Sequence, residues 1–171
     1  MSGIRADDMT EHTDPLGFTP HNHAHCRESA LQAAEDTCAR EGLSLTKQRR
    51  RVLELLLRKH KAMGAYELLD AMRDDGQPAQ PPTVYRALDF LVSNGFAHKI
   101  ERLNAFVACA HPGERHKPAF LLCSACGLVA EMRSQGIGEA VKAAAEELDF
   151  ALERMVVEAE GLCPQCRGAA A

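Results

Sequence analysis

With 171 residues, 46% of them hydrophobic and 26% charged, the chain has room for one ordinary domain or two small ones, and no apolar run approaches the roughly 18 residues that a membrane span needs. Collagen-like, wholly disordered and membrane-embedded classes are excluded, and residues 1–20, with Asp7, Asp8, Glu11 and Asp14 and no apolar stretch, lack the layout of a secretory leader, so a cytoplasmic chain with reduced thiols is expected. The net charge of −4 conceals a gradient of −5 over residues 1–41, +4 over 42–102 and −3 over 103–171, so the middle third alone carries the sign that DNA attracts.

Residues 1–26 have little periodicity and contain Pro15, Gly17 and Pro20 beside His21, His23, His25 and Cys26, which predicts a flexible tail. The histidine cluster reads equally as a zinc ligand set or as a solvated tract. Across 27–41, Leu31, Ala34 and Cys38 recur on one helical face, Cys38 as a small core residue, and Gly42 suits the position after the helix. Thr46 is a good N-cap for a second helix. Its Val52, Leu53, Leu56 and Leu57 face inward, while Lys47, Arg49, Arg50, Arg51, Arg58 and Lys59 stay outside, an ordinary solvated face on charge alone. A third helix over about 65–72 stops at Asp74-Asp75-Gly76.

A fourth helix over 84–93 has Pro82 in its first turn and Asn94-Gly95 at its end. Val84, Leu88, Leu91 and Val92 face inward, leaving Thr83, Tyr85, Arg86 and Asp89 where a helix laid in a major groove presents its side chains. Two β-prone runs, 97–101 and 105–108, form a hairpin. Helices, hairpin and confined positive charge together outline a winged helix-turn-helix DNA-binding domain over 27–110. A linker follows over 111–117, starting at His111-Pro112-Gly113. Beyond it, strands at 119–122 and 128–132 flank the first cysteine pair. A helix over 136–148 aligns Ile137, Val141, Ala144, Ala145 and Leu148, and a β-prone return over 150–160 leads to the second pair. The expected fold class is α+β, the winged helix followed by a small α/β domain over 118–171.

Four of the seven cysteines form two Cys-x-x-Cys pairs, Cys123 with Cys126 and Cys163 with Cys166, separated by 36 residues. That exceeds the roughly 15–20 of a compact zinc ribbon, but the intervening helix and strand can bring the ends together. Four thiolates suit a closed, tetrahedral, structural zinc site. Each pair is expected at a tight turn, and neither has the strand-then-helix setting of a thioredoxin-type redox motif. His98, Cys109, His116 and Glu131 offer two imidazoles, a thiolate and a carboxylate from four elements, a set matched to a borderline-soft ion such as zinc. Each also has an ordinary reading: His98 and Cys109 as packing in the wing, His116 and Glu131 as solvated residues. Their joint use would matter because the four straddle the linker. No Ser-His-Asp arrangement, phosphate loop or catalytic zinc motif supports an enzyme.

The runs Leu45-Thr-Lys-Gln-Arg49, Ala65-Tyr-Glu-Leu-Leu-Asp70, Pro81-Pro-Thr-Val-Tyr-Arg-Ala-Leu-Asp-Phe-Leu91, Gly95-Phe-Ala-His-Lys99 and Glu158-Ala-Glu-Gly-Leu-Cys163, with the two cysteine pairs, resemble the Fur superfamily of bacterial metal regulators, and within it the zinc-uptake regulators. The resemblance spans about residues 28–167. It implies a homodimer joined through the C-terminal domain, repressing zinc-uptake genes from double-stranded operators of dyad symmetry, with zinc as corepressor at two sites per chain. Carried over by residue, it implies Cys123, Cys126, Cys163 and Cys166 as the structural zinc ligands and His98, Cys109, His116 and Glu131 as the regulatory ones.

Iron-sensing members typically carry a His-His-Asp-His-like run before the first cysteine pair, whereas this chain has Ala110-His-Pro-Gly-Glu-Arg-His116. Sensing of iron, manganese or peroxide is therefore the alternative. A zinc-buffering or thiol-redox protein is a further one, opposed by the basic middle segment. The short, Pro-containing stretch after Cys109 departs from the pattern and leaves His111 open to replace or supplement His116. For DNA, the resemblance implies that Tyr66 and Arg86 read bases and that Thr83 and Tyr85 lie near the backbone, while Lys47 and Arg49 meet phosphates. It also places Asp70 and Arg73 where neighbouring dimers touch on one operator, an intrahelical i, i+3 pair being equally open.

Overall fold

The computed structural model describes residues 17–76, 79–113 and 116–169. Most of the expected tail lies outside the described residues, but its last part does not. Helix α1 (His23–Glu41) begins within it, because the Asn22 side chain accepts the His25 N–H at 3.3 Å. Residues 23–26 are thus helical, a correction to the expected tail; a polar, His-rich first turn has no apolar period to betray it. At the other end Gly42 adopts φ 67° and its N–H returns to the Cys38 carbonyl, the left-handed cap that its sequence position predicts.

Thr46 caps α2 (Lys47–Leu56) by accepting the Arg49 N–H. Helix α3 (Ala65–Asp74) is closed at its start by Glu67, whose carboxylate accepts the Gly64 N–H at 2.6 Å. Helix α4 (Pro81–Ser93) starts three residues before the predicted point, since both prolines fit a first turn whose N–H groups have no helical partner anyway. Val84, Ala87, Leu88 and Leu91 line its buried face; Val92, expected inside, falls at the edge of that stripe and is exposed. Leu53, Leu56, Leu68, Met72, Leu88 and Leu91 are almost wholly buried in one core with Ala34 and Cys38. Each large aliphatic chain there contributes about 1.5–3 kcal/mol by leaving water.

Arg51 is only partly exposed, because it bridges Glu54 on its own helix and Asp75 just past α3, with Arg58 joining Asp75 at 3.1 Å. This network fixes α2 against the end of α3 and draws Arg51 away from the solvated face expected for it. The hairpin of β1 (Ala97–Ile100) and β2 (Ala105–Ala108) pairs antiparallel with Ala97 opposite Ala108.

The second sheet has β3 (Pro118–Cys123) at its centre, antiparallel to β4 (Val129–Arg133) and parallel to β5 (Glu158–Gly161). Phe120 faces Glu131 on one side and Glu158 on the other. Helix α5 (Gln135–Glu147) forms the crossover that a parallel pair requires. Its predicted apolar face is not covered in the single chain: Ala145 is buried, whereas Ile137 and Val141 are exposed and Leu148 is 79% exposed. Of the predicted 150–160 strand only 158–161 pairs, with Phe150, Leu152 and Val156 also exposed. Propensity for β structure is legible locally, but pairing needs an adjacent edge.

A short splint, residues 60–63, joins the two halves. The His60 carbonyl accepts the Val129 N–H, and Met63 and Phe106 exchange both backbone hydrogen bonds, all at 2.8 Å. Under it, Ile100 and Val107 of the hairpin pack with Phe120, Leu122 and Val129 of the sheet. The hairpin and the sheet therefore share a core, and the groups that meet there are positioned from both sides.

Candidate metal centres and nucleic-acid interface

The register of the sheet brings the cysteine pairs together. Cys123, at the end of β3, lies opposite Gly161 at the end of β5, and the four sulfurs of Cys123, Cys126, Cys163 and Cys166 all fall within 4.8 Å of one another. Gly127, at φ 72°, closes the first pair in a turn through its N–H to the Cys123 carbonyl. The second pair departs from the expected turn: Pro164 opens the short helix α6 (Pro164–Ala169), so Cys163 and Cys166 lie at a strand-to-helix step after all. What separates the arrangement from a redox dithiol is that four sulfurs converge, not two.

The Cys126 and Cys163 sulfurs are 3.8 Å apart, the edge of a tetrahedron whose sulfur–zinc bonds are about 2.3 Å. Backbone N–H groups of Cys163, at 3.3 Å, and of Cys126 aim at the Cys123 sulfur and bring its thiol down to about 6. Cys166, hydrogen-bonded to Cys163 and Cys126 and crowded by the other sulfurs, is pushed up to about 12. Cys123 is therefore ready to ionise while Cys166 keeps its proton, and a cation held by the four sulfurs would convert the cluster to thiolates.

His98 on β1, Cys109 just past β2, His116 ahead of β3 and Glu131 on β4 also converge, their ligand atoms all within 4.8 Å. His116 Nε2 stands 2.5 Å from Glu131 Oε1 and 3.7 Å from the Cys109 sulfur, which is itself 4.0 Å from Glu131 Oε1. His98 Nε2 lies 3.7 Å from the same carboxylate oxygen; it is buried and has no hydrogen-bond partner among the described residues. Burial holds the His98 ring below the ordinary imidazole range, against the pull of Glu131, so it presents a lone pair and not a charge. Such an orphaned nitrogen, aimed at a thiol, an imidazole and a carboxylate, fits a borderline-soft cation.

Glu131 does two things at once, since its Oε2 accepts the Ala110 N–H at 2.8 Å. His111 donates its backbone N–H to the Cys109 sulfur at 3.4 Å; its ring is not in the four-ligand group, and His116 supplies the second imidazole.

Elsewhere on the helices, Tyr66 is 67% exposed on α3, and Tyr85 and Arg86 are exposed on α4 with Thr83 half-buried beside them. Tyr66, Tyr85 and Asp89 line a groove of about 460 Å³ that continues to Lys99 of the hairpin. Lys47 is exposed at the start of α2. Arg49 is engaged within the fold: it donates to the Ser44 carbonyl at 2.5 Å and its guanidinium stacks 3.7 Å above the Phe90 ring. Asp70 and Arg73 form the intrahelical pair at 3.7 Å, both well exposed.

The model of the ferric uptake regulator family matches residues 40–160. The chain is 41% identical over 140 residues to the zinc uptake regulation protein of Escherichia coli K12, across 81% of this chain and 82% of that protein. Its structure resembles a zinc uptake regulator complexed with zinc and DNA, with a TM-score of 0.79 at 40% identity, covering 84% of this chain and 97% of that one. Against XcZur the holo form gives 0.74 at 44% identity and the apo form 0.50 at 41%, each over 84% of this chain and 99% of the other. The chain as a whole thus superposes better on the holo form of XcZur than on its apo form. With a family match over most of its length and a relative this similar, the chain belongs to the ferric uptake regulator family.

Proposed function

We propose that this protein is a zinc-responsive transcriptional repressor of zinc-uptake genes, acting in the cytoplasm as a homodimer on double-stranded operators of dyad symmetry. It is a regulator and not an enzyme. The observation that carries the reading is the convergence of His98, Cys109, His116 and Glu131 at the meeting of hairpin and sheet. In this reading residues 27–110 bind DNA, 111–117 link, and 118–171 dimerise. The exposed apolar face of α5 and of residues 150–156 supports a partner copy there.

Zinc held there would be bound by His98, Cys109, His116 and Glu131, groups from both sides of the linker. His98 holds the hairpin, Cys109 and His116 hold the two ends of the linker, and Glu131 holds the sheet. The four side chains then favour one separation of the two DNA-binding units in the dimer, the one that fits successive major grooves. A ligand preferring the DNA-competent state must, by linkage, be bound more tightly when DNA is present. Cys123, Cys126, Cys163 and Cys166 act in this reading as the structural zinc site that closes the C-terminal domain. Two zinc ions per chain follow from these two sets. Arg86 and Tyr66 are the base-reading residues, Thr83 and Tyr85 the flanking ones. Lys47 is the phosphate contact, with Arg49 assisting from its stacked position. Asp70 and Arg73 are placed to exchange their intrahelical pair for contacts between neighbouring dimers.

The test is binding to a labelled dyad operator as free zinc is raised in a metal buffer, with manganese and ferrous iron in parallel. Zinc-selective binding is the expected result. Equal response to iron or manganese would move the protein to another branch of the family, and binding without any metal would remove the corepressor role.

A further inference from the structure

Three histidines and a cysteine outside both sites also converge. His21, His23 and Cys26, at the start of α1, meet His60 of the splint, and their four ligand atoms lie within 4.8 Å of one another. The ring centroids of His60 are 4.9 Å from those of both His21 and His23. His25, exposed nearby, is not among them.

The outer hydrogen bonds of the cluster determine what its inner face presents. A carbonyl only accepts, so His21 Nδ1, 2.9 Å from the Thr19 carbonyl, carries a proton and leaves Nε2 bare. His23 Nε2 donates to the Arg58 carbonyl at 2.9 Å, which leaves Nδ1 bare, buried and without a hydrogen-bond partner among the described residues. His60 Nε2 approaches His21 Nε2 at 2.9 Å. Two imidazoles are therefore oriented from behind by main-chain carbonyls, as metal-ligating histidines usually are. If the cluster were packing alone, His21 and His60 would share a proton, but the buried lone pair of His23 would have no donor.

We propose that His21, His23, Cys26 and His60 form a third metal site, whose three imidazoles and one thiolate take zinc in tetrahedral coordination. Entry of the ion releases the Cys26 thiol proton, and His60 carries its ring proton on Nδ1 so that Nε2 binds. The site fastens the N-terminal segment to the junction of the two domains. Its His60 carbonyl already holds the Val129 N–H of β4. Gly17 lies so close to β4 that a Cβ there would sit 2.1 Å from the Val129 carbonyl oxygen. One cavity of about 450 Å³ is lined both by His21, Cys26 and His60 and by Cys109 and Glu131, so the third site and the proposed regulatory site share a wall.

The experiment uses the full chain, exchanged into a zinc buffer and examined by native mass spectrometry. Three zinc ions per chain are expected for the wild type. Cys26→Ser and the double variant His23→Ala/His60→Ala should each hold one ion fewer. Amide exchange over residues 19–30 should slow on zinc addition in the wild type and not in Cys26→Ser. A count unchanged from wild type in both variants, whatever the wild-type total, would overturn the site. Because the readout is a difference of one ion and local protection, it stands apart from operator binding: a protein that ignored zinc on DNA but lost one ion in Cys26→Ser would leave this inference intact.

Discussion

Glu158 of β5 reaches across to the turn of the hairpin and accepts the Glu101 N–H at 2.6 Å, its other oxygen taking the Arg102 N–H at 3.0 Å. Arg154 pairs with Glu101 and Arg102 with Glu160 around the same point. A strand of the C-terminal sheet thus grips the tip of the wing through its backbone, the part of a loop whose hydrogen bonds must otherwise be met by water.

Glu158→Ala should free that tip. Hydrogen bonds to a charged acceptor contribute about 1.5–3 kcal/mol when buried and less at a half-exposed site such as this. The Glu101 and Arg102 amides should exchange severalfold faster while zinc content is unchanged, and operator affinity at saturating zinc should fall. Unaltered exchange at those two amides would show that the contact holds nothing.

Cys109→Ser should leave a folded dimer and weaken zinc-dependent operator binding by at least about 100-fold, since replacing a ligand exceeds the 10–100-fold effect of changing its outer partners. Operator binding in a zinc buffer measures this. Wild-type behaviour would take Cys109 out of the ligand set.

Removing a sulfur from the other cluster should act on the fold. Cys163→Ser leaves three cysteines around a position built for four, and structural zinc contributes its binding free energy to folding. Calorimetry and sedimentation should reveal a lower melting temperature and loss of the dimer. An unchanged melting profile would contradict a structural role.

Arg86→Ala and Lys47→Ala should differ in kind. Loss of a base-reading arginine costs about 1–3 kcal/mol and relaxes preference at one operator position. Loss of a phosphate contact weakens all sequences alike and lowers the salt slope by about 1. Binding to operator variants at several salt concentrations separates the two; identical profiles would mean that neither residue reads bases.

Leu148, 79% exposed, and Phe150, 63% exposed, lie at the end of the uncovered face of α5. Leu148→Asp/Phe150→Ser should shift sedimentation from dimer to monomer with secondary structure retained. A persistent dimer would place the partner copy on another face.

Much of this was legible in the sequence. Thr46 and Gly42 announced helix ends through local backbone chemistry, and the two Cys-x-x-Cys pairs announced a thiol cluster through spacing. His60 did not announce itself. It sits in a basic run, Arg58-Lys59-His60-Lys61, far from His21 in sequence, and only the packing of α1 against α2 brings the two together. Val92 and residues 150–157 misled for a different reason: periodicity and propensity identify apolar faces and strand formers, but not whether the chain itself provides something to cover them.

The parallel pairing of β5 beside β3, with four sulfurs at their common end, has a topological outcome. Once those sulfurs share an ion, the stretch from Gly127 to Leu162 is a closed ring sealed by coordination. A protease cutting within α5 would nick the chain without dividing it, because the piece before the cut and the piece after it would remain tied through Cys123, Cys126, Cys163 and Cys166. Such a nicked protein should migrate as one species while metal is present and come apart into two when a strong chelator and a denaturant are added together.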